Sequence, residues 1–173
     1  TITDQKGKGR TIDVEADLSD VAMNIRAAGW SRAPVKGTTA TFRLVDNGKD
    51  GKRVENLAID GSGLRLRGNV AMRAGGGLSR VDLSEIRLTG DDVFAARLEP
   101  GDGTMNLTLS GTSFDARPYI KNLVTPARTD GAAAAQGGTQ FIVNASFDEI
   151  TAHRGEVVRN VKAKFVSRGG TIG

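Results

Sequence analysis

Apolar and polar residues alternate along most of this chain. The clearest case is the segment SGLRLRGNVAMR at 62–73, in which one parity carries Leu64, Leu66, Val70 and Met72 and the other carries Arg65, Arg67, Asn69 and Arg73. Because successive side chains of an extended chain point to opposite faces, this segment predicts a strand with one apolar and one charged face.

The same period of two recurs between turn signals and predicts an antiparallel meander of about eight strands up to residue 111. Two strands are expected to meet at a tight turn over 19–20, and the Asn-Gly and Asp-Gly pairs within 46–53 favour a hairpin loop. Changes of parity at 61–63 and near Glu85 predict bulges or bends. Two more strands are predicted over 141–147 and 161–165.

The alternation stops in SFDARPYIKNLV at 113–124. Asp115 is predicted to cap a short helix over 115–124, whose first turn tolerates Pro118 and whose later residues supply an apolar stripe. The following segment, TPARTDGAAAAQGG at 125–138, is of low complexity and predicts a flexible loop.

Two short internal similarities suggest related hairpin units. LRLRG at 64–68 resembles LTLSG at 107–111, and VENLAI at 54–59 resembles VRNVKA at 158–163. Matches this short do not define a repeat array.

The composition suits one β-rich unit. The chain has 173 residues, of which 38% are hydrophobic, and contains no apolar run of the length that spans a bilayer. It begins without Met and in mid-pattern, so 1–173 is expected to be a single fragment of a longer protein. The absence of cysteine excludes disulfides, thiolate zinc sites and cysteine nucleophiles. The net charge is +4, with 24 basic residues offset by 20 acidic ones, which predicts solvated outer strand faces.

No cluster of residues resembles a catalytic centre. His153 is the only histidine, and one histidine makes neither a metal cluster nor a triad. Asp91 and Asp92 are adjacent and are predicted to be turn residues, while the loop at 46–57 lacks the calcium ligands required at its third and twelfth positions. We therefore expect a protein that is not an enzyme and needs neither cofactor nor metal. Aromatic residues make up only 5% of the chain, which argues against nucleic acid as a partner.

Three stretches together resemble a known family. AAGWSRAPVKGTTATFRL at 27–44, VENLAIDGSGLRLRGNV at 54–70 and GTSFDARPYIKNLV at 111–124 are similar to the AsmA-like envelope proteins of Gram-negative bacteria, in particular the TamB- and YhdP-type members. The resemblance implies a periplasmic body of repeated β units, anchored to the inner membrane by segments outside this fragment. It also implies a half-open sheet whose apolar groove carries phospholipid acyl chains toward the outer membrane.

The expected fold is therefore all-β: an elongated, strongly curved, taco-like and half-open antiparallel sheet with one short helix. Trp30 is expected in the core of this sheet, with an anchor at the sheet edge as the alternative. The cut edges of the sheet are expected to pair with further units or copies. The expected function is that of a periplasmic segment that shields and conducts phospholipid. The candidate groove-lining residues are Leu64, Leu66, Val70, Met72, Leu107, Leu109, Phe141, Val143 and Phe165.

Three alternatives remain open at this stage. A closed β-sandwich would pack the same leucines on an opposite sheet. A structural or protein-interaction module of the envelope would recruit partners by strand addition, without lipid transport. An enzyme acting on an envelope polymer would need two facing carboxylates.

Overall fold

Thirteen strands account for most of the residues that the structure describes. This computed structural model describes residues 2–5, 8–25, 30–117, 140–168 and 171–172. Two short 3-10 turns, Gly48–Asp50 and His153–Gly155, also lie within these residues. The strands are β1 Ile2–Gln5, β2 Lys8–Asp17, β3 Met23–Ile25, β4 Trp30–Arg32, β5 Thr39–Asp46, β6 Lys52–Gly61, β7 Leu64–Met72, β8 Leu78–Arg87, β9 Val93–Pro100, β10 Thr104–Asp115, β11 Gln140–Thr151, β12 Val157–Arg168 and β13 Thr171–Ile172.

Eleven of these strands form one sheet in the order β1-β2-β5-β6-β7-β8-β9-β10-β11-β12-β13. Neighbouring strands are antiparallel except β10 and β11, which run parallel. The first and last strands of this order do not pair with each other, so the sheet stays open. The predicted all-β, half-open architecture is confirmed.

The hairpin β3–β4 departs from the predicted meander. The segment after the turn at 19–20 does not return along β2; β3 pairs only with β4, in a separate two-stranded sheet. The neighbour of β2 is instead β5. Hydrogen bonds between 18–19 and 37–38 hold together the two ends of the segment that contains this hairpin. The Leu18 N–H donates to the Thr38 carbonyl oxygen at 2.8 Å, and the Gly37 N–H donates to Ser19 Oγ at 3.0 Å.

The parallel pair β10–β11 is the second departure. Parallel neighbours require a long connection instead of a tight turn, and this connection runs through 116–139. The predicted helix does not begin at residue 115, because β10 extends to Asp115, which pairs with Thr151. The rest of that helix, from 118 to 124, and the predicted flexible loop at 125–138 lie outside the described residues.

The two internal similarities coincide with shared backbone features. Asn56 and Asn160 hold the third position of their matching segments, and both have a left-handed φ, at 54° and 53°. Asparagine tolerates this conformation better than most residues with a side chain. Gly68 and Gly111 end the other two segments, and at each a Cβ would overlap a backbone carbonyl oxygen of the neighbouring strand. The similarities therefore mark irregular positions within strands.

The hydrophobic core lies at one end of the sheet. It comprises Trp30, Leu64, Ile86, Leu88, Phe94 and Phe147. Trp30 belongs to the β3–β4 hairpin and is only 7% exposed, which confirms the predicted core position. The Arg32 guanidinium fastens the same hairpin to the β6–β7 turn by donating to the Ser62 carbonyl oxygen. We call the strand ends beside this core the capped end of the sheet. The opposite strand ends, where the turns after β5, β7 and β9 lie, are the open end.

Aromatic packing in this core depends on a glycine, Gly111, which has no side chain. Gly111 pairs with Phe94 on one side and Phe147 on the other. Because glycine leaves the space between them empty, the two rings approach to a centroid distance of 6.0 Å. Phe114 completes the group, with centroids 5.5 Å from Phe94 and 5.4 Å from Phe147.

Substitution of Gly111 tests this packing. Gly111→Ala is expected to lower the free energy of unfolding by about 1–3 kcal/mol, the usual cost of overpacking. The added Cβ would lie 2.5 Å from the Phe94 Cβ and would overlap the Val93 carbonyl oxygen. Gly75→Ala is the control, since nothing lies within 4 Å of its Cβ position. Equal urea midpoints for the two variants would contradict this account.

Candidate functional site

One face of the sheet carries rows of apolar side chains that cross from strand to strand. Paired residues on nine consecutive strands of the sheet, from β2 to β12, form a row that no polar residue interrupts. Directly opposed side chains of neighbouring strands are close enough to contact one another. This middle row consists of Ile12, Leu44, Val54, Val70, Val81, Leu98, Leu107, Val143 and Phe165.

A second row runs alongside it, nearer the capped end. It contains Ala16, Ala40, Ile59, Leu66, Ile86, Phe94, Gly111, Phe147 and Val161. The two rows differ in exposure. Ala40, Ile86, Phe94 and Phe147 are buried in this capped-end row, whereas no residue of the middle row is buried.

Several apolar side chains of this face are open to solvent. Near the open end, Phe141 is 38% exposed and Leu78 48%, although Met105 is buried there, and Phe165 in the middle row is 45% exposed. A sandwich would bury these positions against an opposite sheet. Among the described residues the only second layer is the β3–β4 hairpin, whose Trp30 packs at the capped end. The part of the chain that the structure describes therefore leaves the middle row partly uncovered.

The nine residues predicted to line a groove all lie on this apolar face, but they differ in their position along the strands and in their burial. Leu66 belongs to the capped-end row, Leu109 lies between the two rows, and Met72 and Phe141 lie near the open end. Leu64 is only 4% exposed and packs in the core, so it is closed off from solvent. The remaining four, Val70, Leu107, Val143 and Phe165, belong to the middle row.

Five other members of the middle row are not among the predicted groove residues. They are Ile12, Leu44, Val54, Val81 and Leu98. Ile12, Leu44, Val81 and Leu98 share the parity of the apolar residues beside them, so alternation indicates their face. Val54 does not share the parity of Leu57 and Ile59, because a register shift separates it from them. What the sequence does not provide is the pairing register, which alone shows that these residues line up with Leu107 and Val143.

The opposite face of the sheet carries charged side chains, and ion pairs between neighbouring strands balance many of these charges. The Arg67 guanidinium donates to both carboxylate oxygens of Asp60, at 2.7 and 2.8 Å, and this hydrogen bonding holds the pKa of Asp60 below its usual range. Arg43 pairs with Asp13 at 2.8 Å in the same way. Such exposed pairs contribute only about 0–1 kcal/mol each. Their main consequence is a solvated polar face without a large excess of charge.

Two buried carboxylates, Asp92 and Asp115, lie at the capped end. Asp92 is fully buried and accepts three hydrogen bonds: two from Thr89, both at 2.9 Å, and one from the Asp115 N–H at 2.7 Å. Asp115 accepts from the Arg117 N–H and from its guanidinium. The Arg117 guanidinium lowers the pKa of the Asp115 carboxyl. The Asp92 carboxylate therefore links the β8–β9 turn to the end of β10, and the Arg117 guanidinium adds a second link by donating to both Asp115 and Asp91.

This network was only partly predictable. Asp92 does lie in a turn, as predicted, but its burial and its bond to the next strand leave no local signature in the sequence. Within the described residues no group of three or more acidic or histidine side chains could hold a metal ion. His153 lies in the 3-10 turn His153–Gly155, at the connection between β11 and β12.

None of the described residues belongs to a helix that is long and apolar enough to cross a bilayer. Comparison of the chain with protein-family models, with curated proteins and with solved structures found no match. The geometry of the sheet and the resemblance noted in the sequence are therefore the grounds on which a function can be proposed.

The role of Asp115 gives a prediction about pH. Asp115→Asn is expected to lower the free energy of unfolding at pH 7 by about 1–3 kcal/mol, because it removes the charge-assisted bonds with Arg117. A lowered folded-state pKa stabilises the protein above the unfolded value of about 3.9, and this contribution is lost as the pH falls through the folded value. The variant should therefore lose less stability than the parent on acidification.

The measurement is urea unfolding at a series of pH values from 7 downward. Asp20→Asn is the matched control, since Asp20 also pairs with a cation, Lys36, but both side chains are at least 80% exposed. A loss of stability in Asp20→Asn as large as that in Asp115→Asn would refute the structural role of Asp115.

Proposed function

We propose that this chain is a segment of a bridge-like periplasmic protein that shields phospholipid acyl chains from water between the inner and outer membranes. The observation that carries the proposal is the middle row, which has nine aligned apolar residues and none that is buried. The resemblance to AsmA-like proteins supports the same function.

The direction of the row suits conduction better than a fixed binding site. Rows of paired residues run across the strands, along the length of the sheet. Each step of about 4.8 Å to the next strand brings an acyl chain to another aliphatic or aromatic side chain. A methylene group moved from water onto such a surface gains up to about 0.8 kcal/mol, and a uniform surface offers nearly the same gain at every step.

The two ends of the strands would have different roles. At the capped end, Trp30 and the core close the sheet, so acyl chains have no exit there. At the open end, the exposed Leu78 and Phe141 border solvent, so a polar head group could stay hydrated while its chains contact the middle row. The charged opposite face keeps the sheet soluble without a lipid contact of its own.

The remaining parts of the proposal follow from the resemblance. The segment acts in the periplasm, and the membrane is reached through an inner-membrane anchor outside it. No reaction is catalysed and neither cofactor nor metal takes part. The alternative, an envelope interaction module without lipid transport, has the same fold but carries no phospholipid.

A matched pair of substitutions on one strand tests the proposal. Leu107→Asp places a carboxylate in the middle row, where its desolvation opposes acyl-chain contact, whereas Thr108→Asp places the same group on the polar face beside Arg97. The parent and Thr108→Asp are expected to co-purify with phospholipid, quantified by mass spectrometry after extraction, and Leu107→Asp to retain about tenfold less.

Circular dichroism and thermal unfolding are measured on all three proteins. Leu107 is half-buried, so Leu107→Asp is expected to keep the β spectrum. Parent protein without bound phospholipid, or equal phospholipid in the two folded variants, would count against lipid shielding and in favour of the interaction module.

A further inference from the structure

The strand β12 presents a long backbone edge. On one side it pairs with β11 over 157–167, but on the other it pairs with β13 only at Ser167 and Arg168. Along 157–166, the N–H and C=O groups that point away from β11 therefore have no strand partner among the described residues. An edge of this kind is a template for another extended chain.

The side chains of β12 are unusually exposed for apolar residues. Seven large hydrophobic residues in the described part of the chain are exposed, and four of them belong to this one strand. Val157 is 49% exposed, Val158 51%, Phe165 45% and Val166 37%. This concentration at a single edge is typical of a surface that a partner covers.

The charges of β12 are also incompletely matched. Arg159 pairs with Glu149 on β11 at 3.0 Å, but Lys162 and Lys164 have no carboxylate partner within the described residues. Their neighbours on β11 are the neutral residues Ser146 and Asn144.

Four cations at the middle of the sheet are matched differently, by carboxylates on the adjacent strand. These cross-strand pairs are Arg43–Asp13, Arg67–Asp60, Arg80–Glu99 and Arg97–Asp82. By the same arrangement, a strand placed beside β12 would complete the pattern if it carried acidic residues opposite Lys162 and Lys164.

We propose that the edge of β12 binds an extended acidic segment of a partner protein, which adds to the sheet as a further strand. Its backbone would pair with 157–166, its carboxylates would lie beside Lys162 and Lys164, and its alternate apolar residues would continue the row that contains Phe165. The backbone bonds supply general affinity, and the lysines select for acidic residues. This inference is independent of lipid binding.

The β12 edge of a second copy of this chain fits less well. The strand β12 contains Arg159, Lys162, Lys164 and Arg168 and no acidic residue. Two β12 strands paired together would set cations against cations, and like charges directly opposite one another destabilise a sheet. Charge complementarity therefore favours an acidic partner.

The test uses the full 173-residue chain and a fluorescein-labelled peptide that alternates Val and Glu, with binding followed by anisotropy. The parent is expected to bind this peptide, and the double variant Lys162→Glu, Lys164→Glu to bind it about tenfold more weakly. The same variant should gain affinity for a peptide that alternates Val and Lys. The double variant Lys36→Glu, Lys49→Glu makes the same change in net charge away from β12 and should bind as the parent does.

Two N-methylated forms of the Val-Glu peptide separate strand addition from simple charge attraction. One carries methyl groups on all Val amides and the other on all Glu amides. Since alternate amides of an added strand bond to the edge, one form should lose binding and the other should keep it.

Three results would overturn the proposal. They are no binding of the Val-Glu peptide by the parent, equal binding of both methylated forms, and an equal loss of affinity in the two double variants. Sedimentation velocity of the chain alone gives a fourth: a dimer that the peptide dissociates would assign the edge to a second copy.

Discussion

The register between neighbouring strands is the constraint on which the apolar face depends. A slip of one residue in any pair would turn the whole apolar set of that strand to the other side. Val54 and Leu57, and likewise Leu83 and Ile86, are three residues apart yet share one face, because a register shift lies between them. The irregular positions near Asn56 and Gly68 thus keep the rows continuous.

In a single-layer sheet with continuous apolar rows, the apolar face must be shielded from water by another part of the chain or by another molecule. The β3–β4 hairpin covers the capped end, where Trp30 packs among the core residues. Across the middle row the described chain supplies no comparable layer, and Phe165 is 45% exposed. This uneven burial is consistent with the proposed lipid contact: the capped end holds the fold together, and the partly exposed apolar remainder is the surface that the proposal assigns to acyl chains.

The pattern of apolar and polar residues predicted the features that depend on local sequence. Alternation located most strands of the large sheet, though not β1 or β13, and it located the apolar face, including Val70, Leu107 and Val143. The Asn-Gly pair at 47–48 marked the β5–β6 loop. Alternation could not predict the parallel pairing of β10 with β11, because partner choice is a tertiary property. It also could not separate Leu64 from Leu66, which have the same parity, since only packing at the capped end buries the first. The burial of Asp92 likewise depends on a bond to a distant residue, Asp115.

The most direct test of lipid contact uses the absence of cysteine in this chain. Single cysteines are introduced at 106, 107, 108, 109 and 110 on β10, each labelled with bimane, and emission is recorded as a short-chain phosphatidylcholine is added below its micelle concentration. If acyl chains occupy the apolar face, the emission at 107 and 109 shifts to the blue and that at 106, 108 and 110 does not. Equal shifts at all five positions, or none at 107 and 109, would contradict the account.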